Sequence, residues 1–393
     1  MTRILCSTLM FLGMTATVAA GPRPNTLAES ELAEGWILLF DGESLFGWKA
    51  SSDANWKAAD GAITANEGKP GLLCTTSRFA NYELKFDFRV EPGANSGVFL
   101  RTIANPIRAD LTTKCYEVNI SGSAGGEWPT GSIVDRQKPT PVTHDTQWQT
   151  LDITIDRGRL LVKLNGRTTA DYTDPKPIER GLIGLQFHTG KVAFRNVKLR
   201  PLGTKSLFNG KDLAGWKPYP GLPSVFSVTP EGWLSVRNGK GQLETEGRYA
   251  DFTLQLEVFV NGLGLNSGIF FRSIPGDLWM GYESQIHNGY KDGDRTQPAD
   301  CGTGGIFRRQ NARRVVADDF AWFHQTIHVD GPHMAVWVNG YQVSDWTDRR
   351  PPHKNPRKGL RLAPGTIIIQ GHDPTTDLRF RNLRIATPPI PPF

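Results

Sequence analysis

Chemically capable side chains occur twice in this chain, each time in matching surroundings. Glu117 stands in Tyr116-Glu117-Val118-Asn119, and Glu283 in Tyr282-Glu283-Ser284-Gln285. His188 ends Gln186-Phe187-His188, and His372 ends Gln370-Gly371-His372. Arg101 follows Asn95-Ser96-Gly97-Val98-Phe99-Leu100, and Arg272 follows Asn266-Ser267-Gly268-Ile269-Phe270-Phe271. Carboxylates and imidazoles are the usual proton carriers near neutral pH, while guanidinium and amide groups hold oxygen-rich ligands. Residues two apart in a strand face the same side. Glu117 with Asn119, Glu283 with Gln285, Gln186 with His188 and Gln370 with His372 therefore each present two polar groups to one surface.

These pairs belong to a longer repeat. Leu39-Phe40-Asp41-Gly42 with Gly47-Trp48 returns as Leu207-Phe208-Asn209-Gly210 with Gly215-Trp216, an offset of 216 − 48 = 168. The offset is 171 at the Asn-Ser-Gly motif (266 − 95), 174 at Asn165-Gly166 and Asn339-Gly340 (339 − 165), and 186 at Phe194-Arg195-Asn196 and Phe380-Arg381-Asn382 (380 − 194). Such a period is too long for a solenoid and long enough for a domain with its own core. The elements are short alternating runs. In Tyr82-Glu83-Leu84-Lys85-Phe86-Asp87-Phe88-Arg89-Val90, Leu84, Phe86, Phe88 and Val90 share one face, as in a half-buried strand. Arg157-Gly158, Asn165-Gly166, Asp330-Gly331 and Asn339-Gly340 mark hairpin turns. Long stretches of helical period are missing. The sequence therefore predicts an all-β chain of two tandem β-sandwich or jelly-roll domains, over residues 35–200 and 204–387. Residues 201–205 form a short connection, which predicts closely placed domains.

The ends and the composition add limits. Arg3, an apolar stretch over residues 4–18 and small residues at Ala16, Ala19 and Ala20 read as a signal peptide over residues 1–20. The expectation is a secreted or periplasmic chain with a polar leader over residues 21–34, more tail than fold. No apolar run reaches the length of a membrane span. Cys74 and Cys115 lie in one domain and could pair, but the sequence gives no geometry. No cysteine or histidine spacing suggests a zinc site, and no motif suggests nucleic-acid binding. The net charge of +6 over 393 residues is modest, and the basic clusters at Arg308-Arg309 with Arg313-Arg314 and at residues 354–361 read as solvated loops, with an anionic-ligand patch as the alternative.

The ordered motifs Phe-(Asp/Asn)-Gly…Gly-Trp, Asn-Ser-Gly…Arg, Tyr-Glu-x-(Asn/Gln) and Gln-x-His…Phe-Arg-Asn resemble the 3-keto-disaccharide hydrolase domain family, once in each half. The resemblance implies a concanavalin A-like jelly roll and cleavage of glycosidic bonds in sugars oxidised at C3. A C3 ketone acidifies the C2 hydrogen; deprotonation gives an enolate that expels the C1 substituent, and hydration completes a net hydrolysis. This route needs a base at C2, a donor to the C3 oxyanion and an acid for the leaving oxygen. On this resemblance Glu283, His372, Glu117 and His188 take the base and acid roles. Arg272, Gln285, Gln370, Arg101, Asn119 and Gln186 take the orienting and oxyanion roles. The expected ligand is a sugar or oxidised sugar. No cofactor is implied, and a divalent cation requirement is left open.

Other readings compete. Glu117 and Arg101 could be a structural ion pair, and both histidines could simply pack. Arg195 and Arg381 read as structural, and Trp48 and Trp216 as core. Asp292 and Asp294 could bind calcium, although a solvated loop suits them better. The copies also differ: the second has Gln285 for Asn119, a longer middle loop with Tyr290, Asp292, Asp294, Arg295 and Asp300, and Asp373-Pro374 after its histidine. Gln285 and the polar loop favour the second domain if only one copy is catalytic, whereas Asp373-Pro374 is its own departure from the family pattern, so each copy departs somewhere. A non-catalytic carbohydrate-binding protein is the main alternative, and a structural domain pair a third.

Overall fold

The computed structural model describes residues 23–123, 126–140 and 147–388. The signal-peptide segment lies outside the described residues. Each half is a two-sheet β-sandwich of the jelly-roll kind, so the chain holds two concanavalin A-like domains in tandem. The smaller sheet of the first domain has five strands: β1 (Trp48–Ala50), β2 (Gly71–Thr75), β3 (Asn95–Thr102), β4 (Tyr116–Ser121) and β5 (Leu182–Thr189). Its counterpart has β6 (Trp216–Pro218), β7 (Gly241–Thr245), β8 (Ser267–Ser273), β9 (Tyr282–Ile286) and β10 (Thr366–Gly371). The spatial orders match: β1-β2-β5-β3-β4 and β6-β7-β10-β8-β9. A larger eight-stranded sheet backs each of them.

Alternation explains the layers. In Tyr82–Val90, a strand of the large sheet, Leu84, Phe86, Phe88 and Val90 are buried, as the sequence pattern requires. They meet Val98, Leu100, Val118, Leu185 and Phe187 from the small sheet in one core. The intervening residues of the small sheet point outward, toward the face that carries the sites. Asn165 and Gly166 both have positive φ, 49° and 78°, and Asn339 and Gly340 repeat this at 48° and 76°. That is the primed turn whose twist suits a two-residue hairpin.

The domains form one packed unit. Trp337 of the second domain joins the core of the first, and its indole N–H donates to the Leu38 carbonyl at 2.8 Å. Arg180 bridges Asp251 and Asp330, both at 2.7 Å, and Arg78 also reaches Asp330. His328 is buried and stacks near Phe79 at 4.9 Å. Its Nε2 lies 3.0 Å from the Arg78 carbonyl, so that nitrogen carries the proton, leaving Nδ1 to accept from Thr253 at 2.8 Å. Burial pushes the imidazole down to about 4, so it is neutral.

The leader differs from the tail that its polarity suggests. Asn25 and Asn196 exchange hydrogen bonds, α1 (Glu29–Glu34) follows, and Gln255 of the second domain donates to the Gly35 carbonyl at 2.8 Å. The segment is a strap across both domains. Cys74 and Cys115 are buried and free. Three strand spacings of about 4.8 Å each separate β2 from β4, too far for a disulfide. Among the described residues, no helix is long and apolar enough to cross a membrane.

Candidate functional site

Strand register sets out the outer face of each small sheet as rows. In the first domain one row runs Asn119, Gly97, Gln186, Leu72 across β4, β3, β5 and β2. The next runs Glu117, Phe99, Gly184, Cys74. Gly97 is a hollow: a Cβ there would sit 3.0 Å from the Glu117 carboxylate and 3.4 Å from the Gln186 carbonyl oxygen. Glu117, Asn119, Gln186 and His188 line one cleft of about 650 Å³.

The second domain repeats the rows with different chemistry. Gln285 lies opposite Gly268, and Gln370 opposite Gln242. Glu283 lies opposite Phe270, then come Ile368 and Glu244. The carboxylate rows thus end in Cys74 in one domain and Glu244 in the other. A Cβ on Gly268 would meet Glu283 Oε1 at 2.6 Å, so glycine is needed there for the carboxylate to lie over the strand.

Both glutamates are nearly covered, Glu117 at 8% and Glu283 at 5% exposure. Burial pushes each carboxyl up to about 7; Arg108 draws Glu117 back slightly, and Arg357 and His372 do the same for Glu283. Their partners differ. The Arg357 guanidinium donates to Glu283 Oε2 at 3.1 Å and lies over the Phe270 and Phe307 rings. Among the described residues the Glu117 carboxyl has no such partner, because Arg108 pairs with Asp135 at 2.7 Å.

His372 stacks on Trp279, with ring centres 5.8 Å apart, and its Nδ1 meets Asp373 Oδ1 at 3.0 Å. If Nδ1 carries the proton, Asp373 orients the ring and leaves Nε2 free for proton transfer. Asp300 accepts from Gln285 and from Asn266, each at 3.3 Å. The carbonyl oxygens of Gln285 and Gln370 are buried without a donor among the described residues, as is that of Gln186 in the first domain. They are acceptors fit for hydroxyl groups.

The two arginines chosen from the motif are elsewhere. Arg101 is 1% exposed and donates to the carbonyls of Ala80, Arg157 and Ile178 and to the Asn81 side chain. Arg272 is 0% exposed and holds the Ala250 and Arg361 carbonyls and Asp251. Strand alternation would have aimed both at the site. Each instead has positive φ, 49° and 46°, at a register shift that acts as a β-bulge and turns the side chain inward. They are structural clamps, and the Glu117–Arg101 pair does not form. Arg195 and Arg381 lie over Trp148 and Trp322, each at 4.1 Å, and pair with Asp87 and Glu257. Trp48 and Trp216 are core residues that donate to the Leu39 and Leu207 carbonyls. Asp294 binds its own turn at Thr296.

Trp279, Gln242 and Glu244 were not singled out by motif reading, and Arg357 corrects the solvated-loop reading of the basic cluster at residues 354–361, because it reaches the buried Glu283. Arg357 lies in a connection of 18 residues (348–365), where the first domain has eight (174–181). The rise of the repeat offset from 174 at Asn-Gly to 184 at Gln-x-His (370 − 186) across this stretch is its sequence signal. Gln242 and Glu244 align with Leu72 and Cys74 on the strand beside the Gln-x-His motif, outside any motif of their own, and period two alone would have placed them on the face.

The family model described as the 3-keto-alpha-glucoside-1,2-lyase-like domain matches residues 35–200 and again 203–386. The chain belongs to this family. A curated relative, the 3-keto-disaccharide hydrolase of Bacteroides thetaiotaomicron, is 33% identical over 79 residues, 17% of this chain and 27% of the relative. The match thus spans about a quarter of that relative's length. Among solved structures, a candidate glycosyl hydrolase from Parabacteroides distasonis is 23% identical with a TM-score of 0.41, covering 46% of this chain and 100% of its own. A carbohydrate-binding module from Bacillus subtilis is 15% identical with a TM-score of 0.29, covering 39% of this chain and 94% of its own. Membership of the family makes this a carbohydrate-active, glycosidase-like protein.

Proposed function

We propose that the chain cleaves glycosidic bonds of 3-keto-glycosides, and that the second domain carries the chemistry. The observation that carries this reading is the contact of Glu283, pushed up to about 7 by burial, with the Arg357 guanidinium at 3.1 Å. Glu283 takes the C2 proton. The C–H electron pair becomes the C2–C3 double bond of an enolate, and Arg357 donates to the oxygen that gains charge. As the enolate collapses, its electrons form the C1–C2 double bond and the C1–O bond breaks. His372, held by Asp373, gives a proton to the leaving oxygen. Water then adds across C1–C2, its hydroxyl to C1 and its proton to C2, completing a net hydrolysis. The buried acceptors Gln285 and Gln370 suit the remaining sugar hydroxyls.

The first domain has a buried carboxyl and a histidine, but the arginine that lines its cleft, Arg108, pairs with Asp135 at 2.7 Å instead of with that carboxyl, so the guanidinium–carboxyl contact of the second domain is not repeated among its described residues. The test is aglycone release from a 3-keto-aryl-glucoside beside its unoxidised parent. Release is expected only from the keto sugar, with losses of about 100-fold or more in Glu283→Gln and in Arg357→Ala. Equal release in either variant sinks the assignment. Export is part of the same reading: the mature chain would begin near Gly21, and mass measurement of protein from the outer compartment checks it.

A further inference from the structure

The first cleft departs from the second in ways that the shared fold does not demand. Leu72 and Cys74 stand where the second domain has Gln242 and Glu244. With Phe99, Leu111, Cys115 and Val134 they form a separate apolar cluster on the outer face. The connection from β3 to β4 has 13 residues (103–115), against eight (274–281) in the second domain. It carries Ile107, which is 66% exposed and lines the cleft with Phe99, Leu111 and Val134. Phe99, Leu111 and Val134 are themselves buried, so the apolar surface left open to the cleft is Ile107 together with the half-buried Trp128 that packs on the cluster, a surface suited to an apolar contact.

The same cleft is also polar. Glu117 and Gln186 flank the hollow over Gly97, Asn119, His188 and Arg108 line the cleft with them, and the Gln186 side-chain oxygen is buried without a partner among the described residues. The cleft therefore offers polar groups to a polyhydroxylated ring and, at Ile107 and Trp128, apolar surface to a group that the ring carries, within a volume of about 650 Å³.

We propose that this first cleft is a binding site for glycosides bearing an apolar ring as aglycone, and that it does not perform the elimination. The second clause rests on the function proposed above; the first does not. The site would hold such glycosides beside the catalytic domain, selecting aryl or cyclic-alkyl glycosides over unadorned disaccharides.

Unoxidised ligands test this without turnover. Calorimetry with phenyl β-glucoside and methyl β-glucoside is expected to give about tenfold or more preference for the phenyl compound. Ile107→Asp, at an exposed position, is expected to erase that preference, and Gln186→Ala to weaken both ligands. Glu283→Gln protein is expected to bind phenyl glucoside as the wild type does. Equal affinities for the two ligands, or a preference that survives Ile107→Asp, overturns the proposal. Phenyl glucoside binding lost in Glu283→Gln but kept in Gln186→Ala overturns it too, by moving the site to the second cleft. Turnover of a keto substrate that depends on Glu117 and survives Glu283→Gln overturns the non-catalytic clause and, separately, the catalytic assignment; the aryl preference is then decided by the binding data alone.

Discussion

A carboxyl held near 7 inside a cleft is a source of instability as well as reactivity. Glu117 in the fold has its pKa raised to about 7, against an ordinary value of 4.5. The folded state therefore keeps a proton that the unfolded chain has released. The contribution is fully present below about pH 4.5 and is lost as pH rises through about 7. Glu117→Gln, which cannot ionise, is expected to stabilise the protein by about 1–3 kcal/mol at pH 8 and hardly at all at pH 4.5. Denaturant melts at the two pH values check this; equal effects at both would show that the charge is already compensated. The same shift at Glu283 sets a rate profile. As the proposed base it works deprotonated, so kcat/KM is expected to climb as pH passes about 7, with that climb absent in Glu283→Gln.

At the scale of elements, the primed hairpin at Asn339-Gly340 also anchors the strap. Gly340 has φ 76°, and a Cβ there would fall 2.3 Å from the Leu27 side chain. Gly340→Val is expected to cost about 2–4 kcal/mol, adding backbone strain to the loss of strap docking. Gly166→Val has the same strained turn but open space, so a cost near 1 kcal/mol is expected there. Denaturant melts of the pair separate strap docking from turn chemistry, and equal costs would mean that the strap adds nothing. The hairpins, the alternating strands and the repeated jelly roll were legible because they follow local periods and turn residues. The polar rows Glu117–Asn119 and Gln186–His188 were legible for the same reason. Arg101 and Arg272 misled because a bulge breaks strand parity, and nothing in the order of residues announces a bulge. Arg357 escaped because it reaches Glu283 across 74 positions from a long connection, and only tertiary packing brings it there.

For the whole molecule, the ion cluster between the domains decides how far they act as one body. Burial alone would raise the Asp251 pKa, but Arg180, the Gly331 amide and Arg272 bring it below the ordinary carboxylate range. Its stabilisation is present above the unfolded value near 4 and is lost as pH falls through the lower folded value. Arg180→Ala removes a partner from both Asp251 and Asp330 and is expected to cost about 1–3 kcal/mol, given that the arginine is partly open to water. Scanning calorimetry at pH 7 is expected to turn one transition into two, a result that acidifying the wild type should approach. A single unshifted transition in Arg180→Ala would show that apolar packing at Trp337 suffices alone.

The strap has a further consequence, in the order of folding. The Leu38 carbonyl needs an indole 299 positions later, and the Gly35 carbonyl needs Gln255, 220 positions on. The first domain can fold its own sandwich on shorter-range contacts, but its edge stays open until the second domain has folded beside it. The seam is therefore a late step, and a chain cut or stalled before residue 337 leaves the first domain exposed along it.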